Sequence, residues 1–471
     1  MSTINWQEEV WKRKEDFIKD LQGLLQIKSV LNEEEAAADA PLGKGIKEAL
    51  DYMLALGEKD GFISKNVGNL AGHLEMGEGE ELLGILGHVD VVPEGDGWTV
   101  DPYGGIIKDG KIFARGASDN KGPTIAAYYG MKVVKELGLP LGKRVRLIIG
   151  TDEESNWRCV DHYFKEEEMP DIGFVPDADF PIIFAEKGIS DLDIVQPAGD
   201  GTSNGEFQLI SFQSGRRYNM VPDLAEVQLN SDSEGEKLKR EYFAFLKEWN
   251  LEGTFAQDRT RVELTLIGKS AHGAEPYKGE NAGIYMAKFL QTLNLDQAGK
   301  KFADIVAAFF NRYRGEVFDI AYRDEESGEL TFNVGIMSYT KEIGGRIGLN
   351  MRYPVTFDIS KGKAKIEKEL QEQGLTMENF TDSKPVYVKK DDPLIQALQK
   401  VYEEQTGERA ELLSIGGGTY ARSLERGVAF GALFPGREDV MHQKDEYAIV
   451  DDLLKAAAIY AQAIYELAKA E

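Results

Sequence analysis

The chain has 471 residues, of which 81 are acidic and 55 are basic, so its formal net charge is −26. This length suggests two or three domains, and the charge argues against nucleic acid or an anionic membrane as a partner, because both would repel the protein. A single cysteine excludes an intrachain disulfide framework. With no run of about 18 apolar residues and no signal-like N-terminus, the sequence predicts a cytoplasmic protein.

Strands and helices alternate through the first part of the chain. Apolar residues recur at helical spacing from Trp6 and Val10 onward, and short apolar runs typical of buried strands follow. The predicted order is helix, helix, strand, helix, strand, helix, strand, over residues 6–25, 44–56, 82–87, 125–137, 144–150, 157–164 and 172–175. This alternation predicts an α/β fold with a mostly parallel sheet flanked by helices.

The pattern changes over residues 187–382, where apolar and polar residues alternate as in antiparallel strands, interleaved with helices predicted at 281–292 and 363–373. We interpret this stretch as an inserted α+β domain. Beyond it, residues 393–405 and 451–470 resume the α/β pattern of the first part of the chain. The first predicted domain therefore comprises residues 1–186 and 383–471, and the inserted domain comprises residues 187–382.

Polar side chains follow three of the predicted strands. They are His88 and Asp90, then Glu153 and Glu154, then Asp177. Because ligands bind at the carboxyl ends of the strands in parallel α/β sheets, this coincidence is the first functional signal.

His88 and Asp90 lie two residues apart, so the imidazole can bind a metal while the carboxylate accepts its other ring N–H. Asp119 lies in a tight loop before a helix, where its two oxygens could bridge two cations or cap the helix. Taken alone, the pair of His88 and Asp90 is more typical of an ordinary surface pair than of a metal site.

Residues 152–154 are three adjacent acids after a strand, which repel one another unless cations or protons intervene. They could form a solvated turn, or Glu153 and Glu154 could divide the roles of metal ligand and general base. A set of nitrogen and oxygen ligands without thiolate suits two zinc ions, with manganese or cobalt as substitutes, and favours hydrolysis. The candidate ligands are His88, Asp119, Glu154, Asp177 and His442.

These segments together resemble the M20 family of co-catalytic zinc peptidases and amidohydrolases. The resemblance lies in motifs that occur in the family's order, at residues 86–93, 97–105, 115–122, 152–155 and 268–282. Residues 157–164 and 217–222 are most similar to the bacterial dipeptidases of that family.

The resemblance implies two zinc ions per subunit. His88 and Asp177 would hold one ion, Glu154 and His442 would hold the other, and Asp119 would bridge them. The peptide bond that follows Asp119 is cis in relatives.

Further roles are implied by the same resemblance. Asp90 would orient the first histidine ligand, and Glu153 would be the general base. His272 would stabilise the oxyanion from the inserted domain, which would act as a lid on the first, catalytic domain. Substrate contacts would come from Asn219, Arg352, Gly416, Gly417, Gly418 and Thr419. From the residues alone, His272 is also typical of a surface loop, Arg352 of an ordinary strand arginine, and residues 416–419 of a helix entry.

The predicted activity is that of a dizinc exopeptidase, which hydrolyses unblocked dipeptides through a metal-bridged water with Glu153 as base. One alternative is an N-acyl-amino-acid deacylase of the same family, and another is a metal-dependent binding protein without turnover. Because the insert is long enough to hold both halves of a lid, we expect a monomer whose partner is a small peptide substrate.

Overall fold

The computed structural model describes residues 4–199, 205–231 and 235–470. The chain divides into two compact units. The first comprises Met1–Ala185 and Val386–Glu471, and the second comprises Glu186–Pro385. In the part of the chain that the structure describes, no helix combines the length and apolar character needed to cross a membrane.

A nine-stranded sheet forms the centre of the first unit. Its strands lie in the order Ile63–Val67, Ala71–Met76, Arg144–Gly150, Leu82–His88, Ile172–Val175, Gly427–Ala429, Ile182–Glu186 and Val386–Tyr387, with Leu412–Ile415 also paired to Ile182–Glu186. The four strands in the middle, from Arg144–Gly150 to Gly427–Ala429, run parallel. The first three strands of that order pair antiparallel, so the predicted α/β sheet has a parallel centre and an antiparallel side.

Every residue of strand Leu82–His88 is buried, as expected for a central strand covered on both faces. The helices of this unit are Trp6–Trp11, Lys14–Leu25, Lys44–Lys59, Lys121–Glu136, Arg158–Glu166, Pro393–Thr406 and Val450–Ala468. Smaller elements are the three-stranded sheet of Ile106–Lys108, Lys111–Phe113 and Tyr447–Ile449, and the pair Ala178–Asp179 with Ala432–Leu433.

Two largely buried helices, Lys121–Glu136 and Val450–Ala468, pack against each other. Gly130 permits their close approach, because a Cβ atom there would lie 3.0 Å from the backbone nitrogen of Ala461. Helix Lys121–Glu136 begins just after the loop of Asp119, and helix Val450–Ala468 follows the short strand Tyr447–Ile449 that comes after the loop of His442. The packing of the two helices therefore ties both loops to one support.

The second unit is built on an eight-stranded antiparallel sheet. Its order is Glu252–Asp258, Arg261–Ile267, Leu224–Ser231, Phe207–Ser214, Thr331–Thr340, Gly344–Tyr353, Gly188–Pro197 and Thr376–Glu378. Alternate residues of strand Arg261–Ile267 are buried, so one of its faces packs against the core. The helices are Gly235–Glu248, Ala282–Leu290, Gln297–Ala307 and Ile359–Glu372; the first and third of these were not predicted from the sequence.

Candidate metal centre

The carboxyl ends of three parallel strands bring most of the predicted metal ligands to one edge of the first unit's sheet. The side chains are His88, at the end of Leu82–His88, Glu153 and Glu154, after Arg144–Gly150, and Asp177, after Ile172–Val175. Loops supply the other two, Asp119 before helix Lys121–Glu136 and His442 before strand Tyr447–Ile449.

These six side chains form two groups of three, and within each group the ligand atoms lie within 4.8 Å of one another. The first group is His88, Glu153 and Asp177, and the second is Asp119, Glu154 and His442. Three donors of this kind are the usual protein contribution to a catalytic zinc ion.

Asp119 reaches both groups with different oxygens. Its Oδ1 lies 3.2 Å from Nε2 of His88, and its Oδ2 lies 3.0 Å from Nε2 of His442. Nε2 of His442 also lies 2.9 Å from Oε1 of Glu154. The peptide bond between Asp119 and Asn120 is cis. One carboxylate therefore lies between the two histidines, as a bridging ligand requires.

The ring of His88 is held from its other side. Nδ1 lies 3.0 Å from the main-chain oxygen of Asp90 and 3.4 Å from its Oδ1. The Asp90 Oδ2 atom accepts a hydrogen bond of 3.1 Å from the backbone N–H of Glu154. A proton on Nδ1 would leave Nε2 as the lone-pair nitrogen that faces Asp119 and Asp177.

Burial, hydrogen bonds and nearby charges shift the pKa values of several groups in this site. Burial raises the pKa of Glu153 well above its usual range, and the charges of Asp177 and Asp119 add to this effect. Burial likewise raises the pKa of Glu154 to about 7. Hydrogen bonds to Asp119 and Glu154 raise the pKa of His442 to about 10.

The donor set fits divalent cations. Among the described residues, no lysine or arginine forms an ion pair with the carboxylates of Asp90, Asp119, Glu153, Glu154 or Asp177. The two imidazoles are therefore the neighbours that can compensate the negative charge as long as they carry protons. A divalent cation would supply that charge instead and would use the same nitrogen and oxygen atoms, which are the ligands that zinc, manganese and cobalt accept.

Asn120 positions ligands of the first group, although no role was predicted for it. Its Nδ2 donates hydrogen bonds to Oδ1 of Asp177, at 2.9 Å, and to the main-chain oxygen of Pro176, at 2.6 Å. Its Oδ1 accepts a hydrogen bond of 3.3 Å from the backbone N–H of His88. This leaves Oδ2 of Asp177 facing His88, 3.6 Å from Nε2.

Glu446 holds the loop that carries Asp119. Its buried carboxylate accepts hydrogen bonds from the backbone N–H groups of Ser118, at 2.8 Å, and Asp119, at 3.1 Å. The same carboxylate also accepts hydrogen bonds from the backbone N–H of Gly116, at 3.1 Å, and from Nη1 of Arg115, at 2.7 Å. Glu446 lies four residues after His442 in the chain and is hydrogen-bonded to the loop of Asp119. It therefore connects the two loops that carry these ligands of the second group. A glutamate at this spacing gives no sequence signal of its own, because its partners lie more than three hundred residues away in the chain.

Two predicted substrate contacts, Asn219 and Arg352, and the predicted oxyanion donor His272 lie in the second unit. The segment of Asn219 pairs with that of His272, since the backbone N–H of Gly273 donates to the main-chain oxygen of Asn219 at 2.7 Å. Burial and the nearby charge of Arg352 lower the pKa of His272. The side chain of Asn333 donates to the main-chain oxygens on both sides of Asn219, at 2.6 and 2.9 Å. The structure thus brings Asn219, His272 and Arg352 into one region of that unit.

Residues 416–418 of the first unit lie between strand Leu412–Ile415 and a short 3-10 helix, Tyr420–Ser423. Thr419 caps this helix, because its Oγ1 accepts a hydrogen bond of 3.1 Å from the backbone N–H of Ala421. The predicted helix entry is therefore present, but it opens only four residues of helix.

The family model of peptidase family M20/M25/M40 matches residues 84–466. A relative from Bacillus subtilis (strain 168), which carries the name "Putative dipeptidase YtjP", is 52% identical over 469 residues, covering 99% of this chain and all of the relative. A second relative, from Staphylococcus epidermidis (strain ATCC 12228 / FDA PCI 1200), is named "Putative dipeptidase" and is 45% identical over 98% of this chain and 99% of its own.

Solved structures share the fold. Aminoacylhistidine dipeptidase from Vibrio alginolyticus aligns with a TM-score of 0.57 and 14% identity, covering 96% of each chain. Human carnosine dipeptidase 1 aligns with a TM-score of 0.53 and 13% identity, covering 98% of each chain. At these identities the likeness concerns the fold.

Replacing Glu446 by glutamine should weaken metal binding without unfolding the protein. The side-chain amide would face several N–H groups that need an acceptor, and the loop of Asp119 would lose its position. Groups that orient metal ligands are typically worth 10–100-fold in affinity, so we expect about that loss for at least one ion. Isothermal titration of zinc into metal-free protein measures it.

A matched control is Glu75→Gln, which removes a largely buried carboxylate from Arg146, 2.6 Å away, on strand Ala71–Met76. This variant should bind zinc as the unchanged protein does. Equal zinc affinities for Glu446→Gln and the unchanged protein would show that Glu446 does not position Asp119.

Proposed function

Because the chain belongs to peptidase family M20/M25/M40, we propose that it is a dizinc dipeptidase that hydrolyses unblocked dipeptides. The observation that carries this proposal is the pair of adjoining ligand groups with the Asp119 carboxylate between their histidines. The names of the relatives from Bacillus subtilis and Staphylococcus epidermidis support the choice of dipeptides.

In this proposal His88 and Asp177 would hold the first zinc ion, Glu154 and His442 would hold the second, and Asp119 would contribute to both. The Oδ1 and Oδ2 atoms of Asp119 lie near Nε2 of His88 and Nε2 of His442, respectively, which supports this role. When bound, two such ions polarise a carbonyl and lower the pKa of an attacking water. Manganese or cobalt would satisfy the same donors.

Glu153 is the proposed general base. It lies in the first ligand group, and no hydrogen bond to its carboxylate is seen within the described ranges. Its main-chain oxygen accepts a hydrogen bond of 2.7 Å from the indole of Trp157, which anchors the residue while its carboxylate stays available. Glu153 would take a proton from the attacking water and deliver it to the leaving amine.

On the basis of the family resemblance, we propose that the second unit acts as a lid. His272 would donate a hydrogen bond to the oxyanion, and its lowered pKa favours the neutral ring at pH 7. Asn219 would contact the substrate carbonyl, and Arg352 would contact the carboxylate together with residues 416–419. The sequence also predicts that the protein acts as a monomer and that it is located in the cytoplasm, and both statements remain predictions.

Substrate class is tested by hydrolysis of a panel of unblocked dipeptides, tripeptides and N-acetyl amino acids, followed by mass spectrometry with and without a chelator. We expect cleavage of the unblocked dipeptides alone, and its loss when the metal is removed. A site that pairs both ends of a dipeptide leaves a charge unpaired with any longer peptide. Preferential cleavage of the N-acetyl substrates would contradict the proposal and favour a deacylase.

Replacing Glu153 by alanine tests the base. Zinc content should stay near that of the unchanged protein, because His88, Asp177 and Asp119 remain, while turnover should fall by several orders of magnitude. Plasma emission spectrometry of the purified variant gives the zinc content, and the dipeptide assay gives the rate. An unchanged rate would remove Glu153 from the role of base, whatever the zinc content.

A further inference from the structure

Asn219 lies in a turn of the second unit whose main chain is held at three successive carbonyl groups. The oxygen of Asn219 itself accepts a hydrogen bond of 2.7 Å from the backbone N–H of Gly273. The oxygens on either side, those of Tyr218 and Met220, both accept hydrogen bonds from Nδ2 of Asn333, at 2.6 and 2.9 Å. The peptide groups around Asn219 are therefore fixed by contacts from two other segments of the chain.

The side chain of Asn219 is left out of this arrangement. It is exposed, and among the described residues it takes part in no hydrogen bond. A side-chain amide offers two N–H donors and one oxygen acceptor. The segment beside it carries His272, which forms an isolated bridge with Met220. The turn thus combines a fixed main chain with an amide that is free to contact a ligand.

Asn333 lies on strand Thr331–Thr340 and is 1% exposed. Its Oδ1 atom is buried and has no hydrogen-bond partner in the part of the chain that the structure describes. A buried polar atom without a partner destabilises a folded protein. The hydrogen bonds that this side chain does make all go to the two residues that flank Asn219.

The strand of Asn333 is shaped to let the turn approach. Its pairing with the neighbouring strand shifts register after Val334, so that Gly335 is the extra residue of a β-bulge. A Cβ atom at Gly335 would lie 2.4 Å from the main-chain oxygens of both Arg217 and Tyr218, which is closer than a real Cβ atom comes. Glycine at this position therefore permits the close contact on which the hydrogen bonds of Asn333 depend.

The residue before Asn219 is anchored separately, through its side chain. The hydroxyl of Tyr218 donates a hydrogen bond of 2.9 Å to Oδ1 of Asp193 and accepts one of 3.0 Å from Nη2 of Arg346. Asp193 is buried and forms an ion pair of 2.6 Å with Arg346. These bonds hold the ring of Tyr218 and leave the orientation of the following peptide groups to Asn333.

We propose that Asn333 is a positioning residue that directs the side chain of Asn219 toward the substrate. The inference rests on the proposed dipeptidase function, in which Asn219 contacts the substrate carbonyl, and adds the residue that orients this contact. Without the amide of Asn333, the flanking carbonyl groups would lose their donors and the peptide planes around Asn219 would rotate. The effect of Asn333 on catalysis therefore passes through Asn219.

A double-mutant cycle on the zinc-loaded, full-length protein tests this inference, with kcat/KM for an unblocked dipeptide as the readout. Loss of a donor to a reacting carbonyl costs roughly 10²–10³-fold, which is the expected effect of Asn219→Ala. A misplacement of about 1 Å costs up to about 10²-fold, so Asn333→Leu should lose roughly 10–100-fold. The double variant should match Asn219→Ala within about twofold, whereas the effects of two independent residues would multiply.

The matched control is Gln196→Leu. Gln196 is also a buried amide of the second unit, donates a hydrogen bond of 2.9 Å to the main-chain oxygen of Ala298, and has an Oε1 atom without a partner among the described residues. It lies five residues beyond Asp191, which pairs through Asn350 with Asn333, and thus about 16 Å along the sheet. This variant should keep its kcat/KM. Both leucine variants should keep their zinc content, because the proposed ligands lie in the first unit.

Multiplied losses in the double variant would overturn the assignment, and so would equal kcat/KM values for Asn333→Leu and Gln196→Leu or an unchanged rate in Asn219→Ala. If Asn333→Leu does not fold, Gly335→Ala takes its place in the cycle, because its methyl group would displace the same turn. Failure of both to fold would show that Asn333 acts on stability and would also overturn the assignment. If the unchanged, zinc-loaded protein cleaves no dipeptide, the proposed function fails instead.

Discussion

Carboxylates that share one edge of a buried sheet repel one another unless positive charge lies between them, and this constraint governs the candidate site. Two neutral imidazoles cannot balance the charges of Asp119, Glu153, Glu154 and Asp177. Burial raises the pKa of Glu153 well above its usual range and that of Glu154 to about 7, and the charge of Asp119 adds to both shifts. The fold holds these carboxylates close together although they repel one another, and this repulsion destabilises the metal-free site. A pair of divalent cations would convert the repulsion into attraction.

Structure around the ligands is consistent with such a role. Asn120 and Glu446 both use buried polar side chains to fix ligand loops, and their partners lie within 3.3 Å. The two helices that begin near Asp119 and His442 pack closely at Gly130. Positions of the ligands are therefore set by the protein before any ion binds, which reduces the reorganisation that binding requires.

Local sequence patterns were sufficient for the strands that carry the ligands. The continuous apolar run of Leu82–His88 and the run before Glu153 identify buried strands, and in a parallel sheet their ends must meet at one edge. The family resemblance, confirmed by the family model over residues 84–466, added an assignment for each ligand.

Other features depend on contacts that a single sequence does not display. The antiparallel side of the first sheet follows from pairing of Ala71–Met76 with Arg144–Gly150, which are distant in the chain. Helices Gly235–Glu248 and Gln297–Ala307 went unpredicted because their surroundings in the sequence are dominated by strand-like alternation. Glu446 is one acid among 81 acidic residues, and only its four hydrogen-bond donors distinguish it.

The central claim, that Asp119 lies between two metal ions, is tested most directly by anomalous X-ray diffraction from zinc-loaded crystals at the zinc absorption edge. The account predicts two peaks, roughly 3.5–4 Å apart as in other two-metal sites. One would lie at His88 and Asp177, the other at Glu154 and His442, with a carboxylate oxygen of Asp119 directed to each. A single fully occupied peak, or two peaks without Asp119 between them, would contradict it.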